Sequence, residues 1–199
     1  AQQLMIDVIS HNLANINTTA FKKERAEFKD LLYLNRVMAG MNSNINGDLI
    51  PRGIQIGLGV KTGEVHRIHQ QGNLVETGNK LDIAIKGDGY FRVNYDENNG
   101  VVGYTRDGSF TRNENGDIVN SEGLLLFPGF TIPDNATNIS INEIGEVQVF
   151  LPGQVNPQLL GQIELARFIN EEGLLAVGNN IFLETVSSGP EIVDYPGNE

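Results

Sequence analysis

The side chains best equipped for chemistry in this sequence are its three histidines and its clusters of Asp, Asn and Glu. His66 and His69 stand three apart in Val65-His66-Arg67-Ile68-His69-Gln70. On a helix that spacing would set two imidazoles on one face and suit a metal ion. The segment reads as strand, where the same spacing sends the rings to opposite faces, and no carboxylate motif accompanies them. His11 follows an apolar stripe and reads as a hydrogen-bonding residue on a helix surface; Ser10 beside it is adjacency and no triad. Asp96-Glu97-Asn98-Asn99-Gly100 and Asn113-Glu114-Asn115-Gly116-Asp117 have the composition of calcium-loop fragments. Neither has the ligand alternation and downstream Glu of a complete loop, and both read as hairpin turns. Gly57-Leu58-Gly59 and Gly87-Asp88-Gly89 lack the third glycine and the helix of a dinucleotide fingerprint. Asn135-Ala136-Thr137 and Asn138-Ile139-Ser140 match the glycosylation sequon, a pattern frequent by chance. The expectation is therefore no catalytic residue, no metal and no cofactor.

Composition narrows the rest. Fourteen Lys and Arg against 25 Asp and Glu give a net charge of −11, which repels phosphate backbones and argues against nucleic-acid binding. The absence of cysteine excludes disulfides and cysteine-based zinc or iron–sulfur sites. No apolar run approaches the length of a membrane span, so no membrane insertion is expected. No basic stretch followed by an apolar one opens the chain as a secretory signal would. A chain of 199 residues with 40% hydrophobic content can bury roughly 70% of its unfolded surface, enough for one fair-sized domain without staples.

The elements follow from periodicity. Met5, Val8, Ile9, Asn12, Leu13 and Ile16 recur at three- and four-residue spacing and predict an amphipathic helix, interrupted by Asn17-Thr18-Thr19. The charged stretch from Phe21 to Tyr33 predicts a second short helix, with Phe21, Phe28, Leu31 and Leu32 on one face. Gly53-Ile54-Gln55-Ile56-Gly57-Leu58-Gly59-Val60 alternates Gly with aliphatics, an extended segment that lets another backbone approach closely. It reads as an arm or a long two-stranded hairpin. Leu81 to Lys86 alternates as a strand, and Phe91, Val93 and Tyr95 share one face of another. Irregularly spaced turn signals, each followed by a short aliphatic run, continue to about Thr185 and exclude a propeller or solenoid repeat. The fold class is thus mainly β: a compact antiparallel β domain with an extended β-hairpin arm and an N-terminal α-helix. The expected boundaries are 1–33 for the helical segment, 34–70 for the arm, 71–185 for the β domain and 186–199 for a linker.

This layout leaves the apolar stripe of the first helix uncovered. An isolated helix of about 12–15 residues is marginal in water. The stripe must meet the β domain, a partner chain, or a helix beyond Glu199, and the last two are favoured. Asn12 and Asn15 flank Leu13 inside the helical pattern although Asn is a poor interior residue. Two readings stand side by side: buried amides that fix register between packed helices, and a helix that ends near Asn15 with a polar cap.

Those same residues carry a resemblance. Ser10-His11-Asn12-Leu13-Ala14-Asn15 through Phe21-Lys22 is similar to the N-terminal signature of bacterial flagellar rod and hook proteins, with Ala20 where that family usually has Gly. Gly72 through Phe91 resembles the opening of the family's β domain, Gly103-Tyr104-Thr105-Arg106-Asp107-Gly108-Ser109-Phe110 its next hairpin, and Phe168-Ile169-Asn170 with Gly178-Asn179-Asn180 its closing strands. Pro51 through Val60, leading into His69-Gln70-Gln71-Gly72-Asn73-Leu74, resembles the insertion of distal-rod members.

The resemblance implies a structural subunit, not an enzyme, that self-assembles helically into a stiff hollow shaft transmitting torque to the hook. It implies packing between subunits through Met5, Val8, Ile9, Asn12, Leu13, Asn15, Ile16 and Phe21 of the axial segment and through Ile54, Ile56, Leu58 and Val60 of the arm. Implied partners are further copies of the chain, proximal-rod and hook-side axial proteins, a rod cap and surrounding ring proteins. The implied location is the periplasmic rod of the basal body, reached through the flagellar type III export system without a cleaved signal. A C-terminal helix pairing with the first one, beyond Glu199, and a short stretch before Ala1 are implied as well. Rival readings are a proximal-rod or hook-type paralogue, against which the arm length speaks, and a carbohydrate-binding β domain. The latter would display exposed aromatics, and the sequence has no Trp and 7% aromatic residues. A hydrolase is the third rival, but the sequence singles out no carboxylate pair.

Overall fold

A computed structural model describes residues 1–37 and 54–197. The chain divides into two units, Ala1–Thr18 with Lys22–Ile68, and Thr19–Phe21 with His69–Glu199.

The first unit holds the helix α1 (Gln2–Ala14) and four strands, β1 (Glu24–Asp30), β2 (Tyr33–Val37), β3 (Ile54–Gly57) and β4 (Val60–Arg67). β1 pairs antiparallel with β4, and β2 with β3. Leu31 N–H donates to Gly59 O at 2.8 Å and Leu58 N–H to Leu32 O at 3.2 Å, joining the two ladders into one ribbon. At its base Ile68 N–H bonds Lys23 O. The register slips once, between the pairs Ala26↔Val65 and Phe28↔Thr62, so that Gly63 and Glu64 together face Glu27. This is a β-bulge, and the glycine eases a tight approach there: a Cβ on Gly63 would lie 3.0 Å from Glu27 O.

A two-stranded ribbon is marginal alone in water. Here α1 packs on β1 and buries Val8. The second helix expected from Phe21 to Tyr33 does not form; β1 occupies its place. Lys and Glu have adequate helix propensity, but pairing with β4 and the partial burial of Ala26 and Phe28 outweigh it. The arm is accordingly a hairpin ribbon that begins at Glu24, ten residues earlier than the sequence suggests. The polar stretch from Asn42 to Asp48, read as a loop, lies outside the described residues.

The second unit is built from eleven short strands: β5 (Tyr90–Asp96), β6 (Val101–Thr105), β7 (Thr111–Arg112), β8 (Ile118–Val119), β9 (Asn138–Ile141), β10 (Glu146–Phe150), β11 (Gln158–Gln162), β12 (Leu165–Arg167), β13 (Leu175–Gly178), β14 (Ile181–Leu183) and β15 (Ile192–Asp194). Its central six-stranded sheet has the order β13-β14-β6-β5-β12-β15, antiparallel throughout. A three-stranded sheet, β11-β10-β9, and the pair β7-β8 complete it. Alternation along β5 sorts two cores. Phe91 and Val93 join Phe110, Ile118, Leu126, Phe130, Ile132, Val147, Val149 and Ile163. Tyr90, one residue out of phase, joins Tyr104, Ala166, Phe168, Leu174 and Phe182, its ring edge-on to Phe168 and Phe182.

Both acidic Asn-Gly stretches are hairpin turns. The Asp96 carboxylate accepts from the Asn99 side chain, which above all holds it below the ordinary carboxylate range, and from the backbone N–H of Asn99 and Asn98. Asn113 Oδ1 likewise accepts from Asn115 N–H and Asp117 N–H. Two expectations need correction. Leu81 to Lys86 is extended but makes only a bridge, Asp82↔Ser109, with Ile83 N–H bonding Gly108 O. The Gln71 carboxamide takes the place of a neighbouring strand there, donating to Ile85 O and accepting from Gly87 N–H. The tail expected as a linker contains β15, which pairs with β12 in the central sheet. Its anchor is Glu191, bound bidentately by Arg92 at 2.9 Å through both contacts; Arg92 also pairs with Glu164. That partner lies 99 residues upstream, which no local pattern could disclose.

Candidate assembly interface

The apolar residues of α1 separate into covered and uncovered ones. Val8 is buried against the ribbon, while Met5, Ile9 and Leu13 are exposed, together with Ile6, and Ile16 just past the helix is 72% exposed. The two asparagines are engaged within the chain. Asn12 Oδ1 accepts Glu24 N–H at 2.9 Å and its Nδ2 donates to Glu24 O at 2.7 Å. Asn15 is the C-cap of α1; its Nδ2 donates to His11 O and its Oδ1 accepts from Thr18 Oγ1. The polar-cap reading thus describes Asn15, and Asn12 ties the helix to β1. His11 Nδ1 lies 3.6 Å from the Glu24 carboxylate, whose other oxygen takes Arg67 at 3.2 Å.

After the cap the chain turns at Ala20, whose φ of 60° is in the left-handed region. The resemblance drawn from the sequence expects Gly here, and the backbone accounts for that: a left-handed residue without a Cβ carries no steric penalty. Phe21 follows and is partly buried.

On the ribbon, Ile56, Leu58 and Val60 are exposed, and Ile54 starts β3. The facing strand contributes residues that sequence reading did not single out for packing. Leu34 pairs in register with Ile56, and Leu32, opposite Leu58, is 83% exposed. Tyr33 pairs with Gly57 and lays its ring over it, within 3.3 Å of where a Cβ would be. Gly57 thus leaves room for an aromatic neighbour from β2. Lys29 and Lys61, both exposed, are also direct cross-strand partners. The register alone reveals these pairs; had β1 been read as strand, Leu32, Tyr33 and Leu34 would have joined the arm residues.

Of the three histidines, His11 lies on α1 and His66 on β4, and only His69 belongs to the second unit, where it meets a tyrosine and a carboxylate. His69 Nδ1 lies 2.9 Å from Glu171 Oε2 and 3.1 Å from Tyr90 Oη, and Tyr90 Oη donates to Glu171 at 3.2 Å. The hydrogen bond from His69 holds the Glu171 carboxyl below its ordinary range against the effect of burial. His69 Nε2 is buried without a protein partner. Arg106 stacks over the Tyr90 ring at 5.6 Å and bonds Gly87 O. Burial, and then the charge of Glu191, push the Tyr104 hydroxyl well above its usual value. These contacts tie the entry into the unit, His69, to the second core and to the turn at Glu171–Gly173. A groove of about 690 Å³ lies elsewhere, between Ile83–Asp88 and Asp194–Gly197.

The family models place these features. Residues 1–22 match the model described as flagella basal body rod protein, and residues 84–149 match that of the flagellar hook protein FlgE/F/G D1 domain. Among individual relatives, the chain is 50% identical over 197 residues to the flagellar basal-body rod protein FlgG of Caulobacter vibrioides, covering 99% of this chain and 74% of that protein. It is 38% identical to FlgG of Bacillus subtilis, covering 98% and 74%. Similarity to the flagellar hook protein FlgE of Helicobacter mustelae is lower, 32%, and covers 91% of this chain but 40% of that one. With the rod signature on α1, the D1 region in the β unit and identity across both, this chain belongs to the flagellar basal-body rod protein family.

Proposed function

We propose that the chain is a structural subunit of the distal part of the flagellar rod and that its work is mechanical. Copies arrayed helically form a stiff hollow shaft that passes motor torque to the hook and leaves a channel for unfolded export substrates. Head-to-tail contacts that do not close on themselves generate such an array. The single observation that carries this reading is the row Met5, Ile9, Leu13 and Ile16: apolar, exposed, and beside a Val8 flank that the ribbon already covers. Contiguous exposed apolar surface of this kind marks an interaction site. In the assembled shaft that row packs against other axial helices, while Val8, Asn12 and Asn15 hold the helix in position. The ribbon, with Ile54, Ile56, Leu58 and Val60, lies along neighbouring subunits.

By the same reading the ends of the stack meet proximal-rod and hook-side axial proteins, a cap during growth, and ring proteins around the shaft. The subunit reaches the periplasm through the flagellar export system. Electron microscopy of the full-length gene product, alone and seeded with isolated rod ends, tests the assembly. Rod-like polymers are expected, and the double variant Ile9→Asp/Leu13→Asp should stay folded and monomeric. A product that remains monomeric at high concentration even on rod ends would overturn the reading.

A further inference from the structure

Charge is divided unevenly along this chain. Residues 1–68 carry eight Lys and Arg against six Asp and Glu, a net of +2, whereas residues 69–199 carry six against 19, a net of −13. The two spans correspond to the two structural units. Most of the cations of the second unit are engaged inside it: Arg92 with Glu164 and Glu191, Arg112 with Asp134, Arg167 with Asp194, and Arg106 with Gly87 O. Its surface is therefore left with an excess of carboxylates.

The ribbon shows the opposite arrangement on one face. Glu24, with Asn12 and His11 against it, marks the face that α1 covers. Arg25, Glu27 and Lys29 alternate onto the other face. Arg25 and Glu27 neutralise each other, Nη2 to Oε1 at 2.7 Å. Lys29 remains, exposed, directly opposite Lys61 and with no ion-pair partner among the described residues. Like charges facing each other across strands destabilise the pairing, because their Cβ atoms are only about 5 Å apart. A carboxylate placed over both ammonium groups removes that repulsion. Nothing on the first unit, with its six acids and net positive charge, supplies such carboxylates in quantity; the second unit does.

We propose that Lys29 and Lys61 form a cationic docking point by which the ribbon of one subunit seats on the carboxylate-rich β unit of a neighbouring copy. The inference rests on the assembly reading above and specifies its lateral contact. The interface is heterologous, positive ribbon to negative β unit, and so propagates from copy to copy. Complementary charge also sets register, since ribbon against ribbon would bring the lysine pairs together.

The test is zero-length carbodiimide cross-linking of isolated basal bodies, which joins an amine to a carboxylate already in contact. Dimers of the chain are separated on a denaturing gel and digested for mass spectrometry. The expected result is a link from Lys29 or Lys61 to an Asp or Glu within residues 69–199, present in the dimer band and absent from the monomer band. The variant Lys29→Glu/Lys61→Glu should enter rods at least about ten-fold less well, and Lys29→Arg/Lys61→Arg should enter normally, because only charge is required. Dimer links confined to residues 1–68, or links from these lysines to a different basal-body protein, would overturn the docking point while leaving the rod role standing. Absence of the chain from isolated basal bodies would remove the rod role and the docking point together.

Discussion

Asn12 serves Glu24 as a substitute strand, its carboxamide meeting both the N–H and the C=O of that one residue, at 2.9 and 2.7 Å. The bond pair fixes the angle at which α1 meets β1, and with it the direction in which the exposed row of the helix points. Asn12→Ala leaves a donor and an acceptor of a partly buried strand end without their partner and should destabilise the first unit by about 1–3 kcal/mol. Asn12→Asp retains the acceptor but cannot donate to Glu24 O, so an intermediate loss is expected. Amide hydrogen exchange at Glu24 reports the contact directly; unchanged protection in the Ala variant would show that the helix is held by other means.

Ala20 is strained by its φ of 60°. A non-glycine residue in the left-handed region is penalised by about 1–2 kcal/mol, and replacement by glycine returns part of that as unfolded-chain entropy. Ala20→Gly should therefore stabilise by about 0.5–1 kcal/mol, a rise in Tm of roughly 1–4 °C for a chain of this size. Ala20→Val, with a branched Cβ at the same φ, should lower Tm. Thermal unfolding of the two variants side by side checks the sign.

Gly108 faces a harder constraint. A Cβ there would lie 1.6 Å from Ile83 O, the oxygen of the extended segment whose own N–H bonds Gly108 O. Since the obstacle is backbone on both sides, Gly108→Ala must displace either Ile83 or the turn that leads to the core residue Phe110. A loss of at least about 3 kcal/mol is expected, the upper end for overpacking. Gly100→Ala, where nothing lies within 4 Å of the added Cβ, is the control for a glycine kept by its φ of 65° alone. Denaturant midpoints for the two should separate clearly.

Glu171 makes the stability of the β unit sensitive to acid. Its carboxyl titrates below the ordinary value because of the hydrogen bond from His69 first, with the His69 charge and the Tyr90 hydroxyl adding to it. A folded-state value below the unfolded one means the stabilisation is complete above the unfolded carboxylate value of 4.5 and is lost as pH falls through the lower folded value. In Glu171→Gln that contribution is missing at every pH. The gap in Tm between parent and variant should be widest above pH 4.5 and narrow below it. A gap that stayed constant down to strongly acidic pH would show that the carboxylate charge is not what the site uses.

The sequence was most legible where pattern and tertiary structure agree. Phe91 and Val93 alternate into one core as their period demands, and the Asn-Gly stretches turn where Asp96 and Asn113 can bond their own backbone. It was least legible where a distant partner decides. Phe28 fits a helical face as well as a strand, and only β4, more than thirty residues on, settles which. Ile192 and Val193 lie in an acidic, Gly- and Pro-bearing tail that reads as linker; Arg92 and β12 recruit them into the sheet. On α1 the apolar stripe follows from periodicity, but its division into a covered Val8 and an exposed Met5, Ile9 and Leu13 does not. The intrachain engagement of Asn12 and the opposition of Lys29 to Lys61 depend on register, which the composition of either strand leaves open.

The order of the central sheet has a consequence for timing. Its middle strands, β5 and β6, emerge first from any N-terminus-first delivery of the chain, yet Tyr90 must wait for Ala166 and Thr105 for Ile181. The last partner, β15, arrives only with Asp194. Such long-range pairings pay loop-closure entropy before any reward and form slowly. Until those later residues are free, β6 has no partner on its outer edge, and β5 has only the short contact that Leu125–Phe127 makes with Arg92–Asn94. In a passage too narrow for a sheet the central sheet therefore cannot close, and its order is completed only once Ile192–Asp194 have come through.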